Sequence, residues 1–161
     1  MGIVVKRTDL IYSKEKEDFL EVLQSYAKDV MGGGKEIGPN ITSKLINNLV
    51  NVPNKLLLLA YKDNHIAGLA NCFYGFSTFK AQPLINIHDF AVLPKYRGQG
   101  VGLEILKRVE QIAKDEDCCK ITLEVLEGNK RAQSIYQEFG FEGYELDPEM
   151  GKAVFLEKLL V

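Results

Sequence analysis

The chain has 161 residues, 46% apolar, 26% charged and 9% aromatic, a length and balance expected of one globular domain over residues 1–161 and foreign to collagen, coiled-coil or disordered chains. Lys plus Arg number 20 and Asp plus Glu 22, a formal charge of −2, with no basic block to attract a phosphate backbone, so nucleic acid is not expected as a partner. The longest apolar run, residues 56–61, falls far short of the roughly 20 residues of a membrane helix, and no apolar targeting segment follows Gly2. A cytoplasmic protein with no membrane partner is the expectation. Cys72, Cys118 and Cys119 lack Cys-x-x-Cys spacing and are expected to be reduced, while His65 and His88 are too scattered for a metal site.

In chain order, residues 3–6 are a β-branched run that predicts a short strand. Ser13 stands as an N-cap before Glu15, Glu17 and Asp18, and Phe19, Leu20, Val22, Leu23, Tyr26, Ala27 and Val30 repeat at helical spacing up to the triple glycine at 32–34. A second helix is predicted over 41–50, with Ile41, Leu45 and Leu49 on one stripe and Pro53 barring its continuation. Residues 56–62 then read as a buried strand, Asp63-Asn64 as a two-residue turn and 65–74 as the returning strand. Residues 75–83 are predicted to be a loop carrying Phe76 and Phe79, followed by a strand over 84–92.

Val101, Ile105, Val109, Ile112 and Ala113 line one face of a long helix, and 121–126 is the next predicted strand. Asn129 caps a shorter helix, with Ala132, Ile135, Tyr136 and Phe139 inward and Gly140 at its end. Residues 141–146 and 153–160 are predicted to close the chain as a hairpin. The expected class is α/β, with a mostly antiparallel sheet and one internal crossover.

Arg97-Gly98-Gln99-Gly100-Val101-Gly102 lies between a strand and the start of the long helix, where amides have no intrahelical partner and the helix dipole is positive. Such a turn suits phosphate oxygens, with Arg97 adding positive charge, although glycines can also do no more than shape a turn. Leu103 occupies the place of the third glycine in a dinucleotide fingerprint, and Leu103-Glu104 excludes a P-loop. A dinucleotide-dependent oxidoreductase is therefore disfavoured.

The spacing that fits is Arg/Gln-x-x-Gly-x-Gly/Ala, which resembles the pyrophosphate loop of the Gcn5-related N-acetyltransferase (GNAT) family. Ile87-His88-Asp89-Phe90-Ala91-Val92-Leu93-Pro94 resembles that family's fourth strand. Leu123-Glu124-Val125, Asn129, Ala132, Tyr136, Gly140 and Phe141 resemble its fifth strand and fourth helix. The resemblance implies a mixed, mostly antiparallel sheet of about six to seven strands flanked by about four helices, with splayed central strands. It also implies acetyl-CoA as co-substrate, no metal, and direct acetyl transfer to a primary amine of a small molecule, peptide or protein; it leaves a homodimer open.

By the same resemblance, Gly98, Gln99, Gly100, Val101 and Gly102 with Arg97 hold the pyrophosphate. Phe90, Ala91 and Val92 run along the pantetheine, and Asn129, Ala132 and Tyr136 line the thiol-proximal arm. Tyr136 is the expected acid for the thiolate, against a plain reading as a core aromatic. Three residues compete as base for the attacking amine: Glu124 first, on its Leu-Glu-Val strand, then Asp89 and His88. Strand alternation puts His88 and Asp89 on opposite faces unless a bulge intervenes. Residues 32–34, Gly38-Pro39 and 75–79 are expected lids, with Phe73, Tyr74, Phe76 and Phe79 as walls or core, and the carboxylates favour a cationic acceptor. The alternative is a non-catalytic acyl-CoA-binding domain, against which Tyr136 and Glu124 together argue.

Overall fold

Leu56, Leu57, Leu58, Leu59 and Ala60 are all buried in β2 (Lys55–Lys62), the pattern of a strand covered on both faces. In the computed structural model, which describes residues 2–160, β2 lies between β1 (Ile3–Thr8) and β3 (His65–Ser77), followed by β4 (Gln82–Val92) and β5 (Ile121–Leu123). The first three pairings are antiparallel, and β5 joins β4 in parallel. A parallel neighbour requires a crossover, supplied by α3 (Val101–Asp115). Asp63 and Asn64 at φ 50° and 66° make the tight turn from β2 to β3.

The chain forms two compact units, Met1–Leu123 and Glu124–Val161. In the first, α1 (Ser13–Lys28) lays Phe19, Val22 and Leu23 against Leu57, Leu59, Leu69, Ala91 and Leu93 on one face of the sheet. Helix α2 (Pro39–Leu49) adds Leu49 to that layer. On the other face Val101 and Ile105 of α3 lie so close to Gly68 that a Cβ there would stand 3.1 Å from Ile105 Cδ1. Asp18, fully buried on α1, accepts from the Tyr61 hydroxyl at 2.9 Å and from Lys14 Nζ, so the helix is fastened by a paired charge as well as by burial. The second unit holds α4 (Lys130–Phe139) and a short 3₁₀ turn at Pro148–Met150. No described helix is long and apolar enough to cross a membrane.

Several boundaries differ from expectation. Ser13 is the first helical residue rather than the cap; Tyr12 holds that position with no side-chain bond, while the Thr8 hydroxyl donates to Glu15 at 2.7 Å. Helix α1 ends at Lys28 because Asp29 turns extended and accepts from the Met31 N–H, opening a 3₁₀ turn at Val30–Gly32 that leaves Val30 exposed. The expected loop at 75–83 is mostly strand, since Gly75, Phe76 and Ser77 pair with Leu84, Pro83 and Gln82. Only residues 78–81 turn, with Phe79 at the solvent-exposed tip.

The sheet has five strands, not six to seven, while the four helices are present. β5 stops at Leu123, and residues 141–146 and 153–160 form no strands; a single bridge, Glu145 with Lys152, marks the expected hairpin. Val154, Phe155 and Leu156 are consecutive apolar residues, so a two-stranded ribbon could bury at most one side of them, and such ribbons are marginal by themselves.

Candidate active site

Gly100, at φ 86°, is the N-cap of α3, and Gly98 is also left-handed at φ 73°. Two such residues turn the chain sharply out of the Pro94–Tyr96 3₁₀ turn into the helix, a conformation that favours glycine. The first helical bond runs from the Glu104 N–H to the Gly100 carbonyl at 3.1 Å. Among the described residues, the amides of Gly98, Gln99, Gly100, Val101, Gly102 and Leu103 therefore have no backbone acceptor. A helix N-terminus bearing this many unbonded donors can cradle a diphosphate. Gly102 faces the Phe90 ring, which a Cβ there would meet at 3.5 Å, an ordinary packing distance.

Arg97 is engaged rather than poised as a lone cation. Its Nε donates to the Val92 carbonyl at 3.1 Å and its Nη2 to Asp29 at 3.0 Å. Asp29 also accepts from the Met31 N–H at 3.0 Å, and these contacts hold its carboxyl below the usual carboxylate range. Gln99 donates to the Lys95 carbonyl at 2.7 Å, steadying the turn from its other side.

In β4 the register with β3 slips: Asn71 pairs with Asp89, but Cys72 pairs with Ile87, leaving His88 as a bulge. The exception to alternation is therefore realised. His88 packs edge-on to the Phe73 ring at 5.7 Å, and Asn71 Nδ2 donates to Asp89 Oδ2 at 3.1 Å. Asn71 and Phe73 lie two apart on β3, so His88 and Asp89 share the face covered by α1. Phe90 and Val92 take the opposite face, beside Gly102 of α3. The ladder with β5 ends at the Ile87–Leu123 pair, where β5 itself ends, while β4 continues through the bulge to Val92.

The charge of Asp89 reaches its neighbours. Burial and then Asp89 push the Cys72 thiol up to about 12, which makes it an inert core residue. Burial, then Asp89 and Asp29, raise the Tyr26 phenol on α1. Tyr26, Asn71 and Asp29 were not expected as parts of the site. The signal for Asn71 was a lone amide in the apolar stretch Leu69-Ala70-Asn71-Cys72-Phe73; Asp29 lies 68 residues from Arg97 and had no such signal.

The remaining candidates belong to the second unit. Glu124, its first residue, directly follows β5 and is exposed. Asn129 caps α4, its Oδ1 accepting from the Ala132 N–H at 3.2 Å, which leaves its NH₂ for other partners. Tyr136 is buried, with its ring edge-on to Phe141 at 5.8 Å. The described residues contain no group of three or more His, Cys, Asp or Glu able to hold a metal.

A five-stranded α/β fold thus carries a bulged fourth strand with a helix-capping turn of unbonded amides directly after it, an arrangement able to hold an anion. Residues 13–141 match the sequence profile of the Acetyltransferase (GNAT) family, and the chain belongs to it. Among curated relatives, the thialysine N-epsilon-acetyltransferase of Bos taurus is 39% identical over 75 residues, 47% of this chain and 44% of that one. The putative [ribosomal protein bS18]-alanine N-acetyltransferase of Bacillus subtilis is 31% identical over 96 residues, 60% of each chain. The chain thus spans about half the length of the curated relatives it matches. Among solved structures, AAC(6')-Iy in complex with the bisubstrate analog CoA-S-monomethyl-acetylneamine superposes with a TM-score of 0.76 over 99% of this chain and 100% of that one, at 14% identity, a likeness of fold.

Proposed function

We propose that the chain acts as one acetyl-CoA-dependent N-acetyltransferase domain that passes the acetyl group directly to a primary amine. The observation that carries this reading is the run of unbonded amides from Gly98 to Leu103 at the start of α3, one turn beyond a bulged β4. Support comes from relatives named for amine acetylation and from the CoA bisubstrate complex of a structural neighbour. In this reading Gly98, Gln99, Gly100, Val101 and Gly102 bind the pyrophosphate, Phe90, Ala91 and Val92 carry the pantetheine, and Asn129 and Ala132 contact its arm. Arg97 shapes the turn and contributes the positive charge that its contact with Asp29 leaves unmatched.

Tyr136 donates a proton to the departing thiolate. The acceptor starts as an ammonium: at a pKa of about 10.4 only about 0.1% is neutral near pH 7.4, a handicap of about 4 kcal/mol that a placed base reduces. Asp89 attracts the ammonium, a role supported by its half-buried position beside the bulge. Glu124 is the first candidate for taking the proton, with Asp89 and His88 as its competitors. No metal is required, and the cytoplasm is the proposed compartment.

The test is free-thiol release from acetyl-CoA with a panel of ω-amines, thialysine-type amines and peptide N-terminal alanines. Thiol release matched by acetyl-amine product supports the reading. Binding of acetyl-CoA without release for any amine identifies a binding module instead, and no binding at all refutes both.

A further inference from the structure

Asn71 stands where packing alone would put a leucine. Its neighbours along the same face of β3 are Leu69 and Phe73, its partner in the β2 register is Leu57, and it is only 4% exposed. Its Nδ2 donates to Asp89 at 3.1 Å, while its Oδ1 is buried with no hydrogen-bond partner. An orphaned buried amide oxygen costs stability that an apolar side chain would not. Rotating the amide brings no relief, because it would set Oδ1 against an ionised carboxylate. The one productive contact of this residue is therefore Asp89.

That contact occupies Oδ2 of Asp89 and fixes the carboxylate from inside the sheet. The other oxygen, Oδ1, accepts no hydrogen bond among the described residues. His88, displaced by the bulge, stands next to it in sequence and on the same face, with Tyr26 of α1 opposite. A carboxylate with one oxygen pinned and the other available is a directed acceptor for an ammonium N–H, and desolvated surroundings strengthen the attraction.

We propose that Asn71 is a positioning residue that acts through Asp89: it holds one carboxylate oxygen so that the other receives the acceptor's alkylammonium, selecting cationic primary amines over neutral ones. The proposal rests on the amine-acetylation reading above. The described titratable or charged groups about Asp89 are His88 on its own strand and Tyr26 on α1, with Asp29 acting on Tyr26 from the end of that helix and Cys72 on the opposite face of β3.

The test is Asn71→Leu, which keeps the branching at Cγ and deletes both polar atoms, with Asn71→Ala as the second variant should the larger side chain not fit. Carbon-13 labelling of Asp carboxyls, with Asp89 assigned by the signal lost in Asp89→Asn, reads the site without any turnover. The expected result is a displaced Asp89 carboxyl carbon resonance at neutral pH, since the hydrogen bond from Asn71 Nδ2 to Oδ2 is gone. Melting temperature should hold or rise and acetyl-CoA affinity should stay unchanged. The amine kcat/KM near neutrality should fall about tenfold, through KM more than kcat, because the carboxylate is no longer held in place for the ammonium.

A stationary Asp89 resonance overturns the proposal. So does a fall in melting temperature with amine kinetics intact, the signature of a purely structural amide. If the parent acetylates no amine, the reading of the reaction fails on that result alone, and the carboxyl resonance still decides whether Asn71 holds Asp89.

Discussion

Asp29 joins the end of α1 to the anion turn, and its charge competes with the phosphates that turn is proposed to bind. Asp29→Asn removes the charge while keeping an oxygen for the Met31 N–H, so the 3₁₀ turn at Val30–Gly32 retains its cap. The Arg97 and Asp29 side chains are 36% and 25% exposed, which makes this a partly screened pair worth about 0.4–1 kcal/mol. Deleting the competitor returns at most that much to the pyrophosphate, so acetyl-CoA should bind about two- to fivefold more tightly. The gain should shrink as salt rises. Calorimetric titration of parent, Asp29→Asn, Arg97→Ala and the double variant measures it, and the Asp29 effect should vanish once Arg97 is absent. Weaker binding by Asp29→Asn, or an equal gain in the Arg97→Ala background, would refute the competition. The pH sign is fixed by the lowered carboxyl of Asp29: its contribution to the loop is complete above the ordinary carboxylate value of about 3.9 and is lost only as pH falls through its lower folded value. Protection of the Met31 amide, its exchange relative to the intrinsic base-catalysed rate, should therefore be unchanged across neutrality.

What the sequence disclosed depended on whether the governing interaction was local. Asp63-Asn64, Gly100 and the Asn129 cap were legible because each is a backbone requirement met by a particular residue within a turn of itself. The bulge at His88 left a fainter mark: Ile85 and Ile87 hold odd positions, whereas Phe90 and Val92 hold even ones, so the apolar phase slips between them. Ala91 and Leu93 are also buried, however, and a strand covered on both faces blurs that slip. The apolar content of residues 153–160 suggests a strand, but Val154, Phe155 and Leu156 break the period of two and no terminal hairpin forms there. The partnerships of Arg97 with Asp29 and of Asn71 with Asp89 depend on tertiary placement, and no spacing rule reaches across those separations.

Gly100→Asp places a charged side chain at φ 86°, a conformation that costs an L-residue roughly 1–2 kcal/mol, and points a carboxylate at the anion turn. Acetyl-CoA binding should be lost while circular dichroism and a cooperative melt persist; unchanged affinity would remove the pyrophosphate from this turn. Tyr136→Phe keeps the ring that meets Phe141, so it should melt near the parent but lose about 10²-fold in turnover, and lose less with acyl donors of lower thiol pKa. An equal loss with every donor would deny the hydroxyl its acid role. The base is separated by comparing Glu124→Gln with Asp89→Asn. Both remove one carboxylate, but an anchor and a proton acceptor fail differently. If Glu124 takes the proton, Glu124→Gln lowers kcat and erases the acidic limb of its pH profile with little change in the amine KM, whereas Asp89→Asn chiefly raises that KM. If Asp89 performs both tasks, Asp89→Asn alone abolishes the limb and Glu124→Gln behaves as the parent. Acidic limbs that survive in both variants assign the proton to His88 or solvent, and His88→Gln then decides between those two.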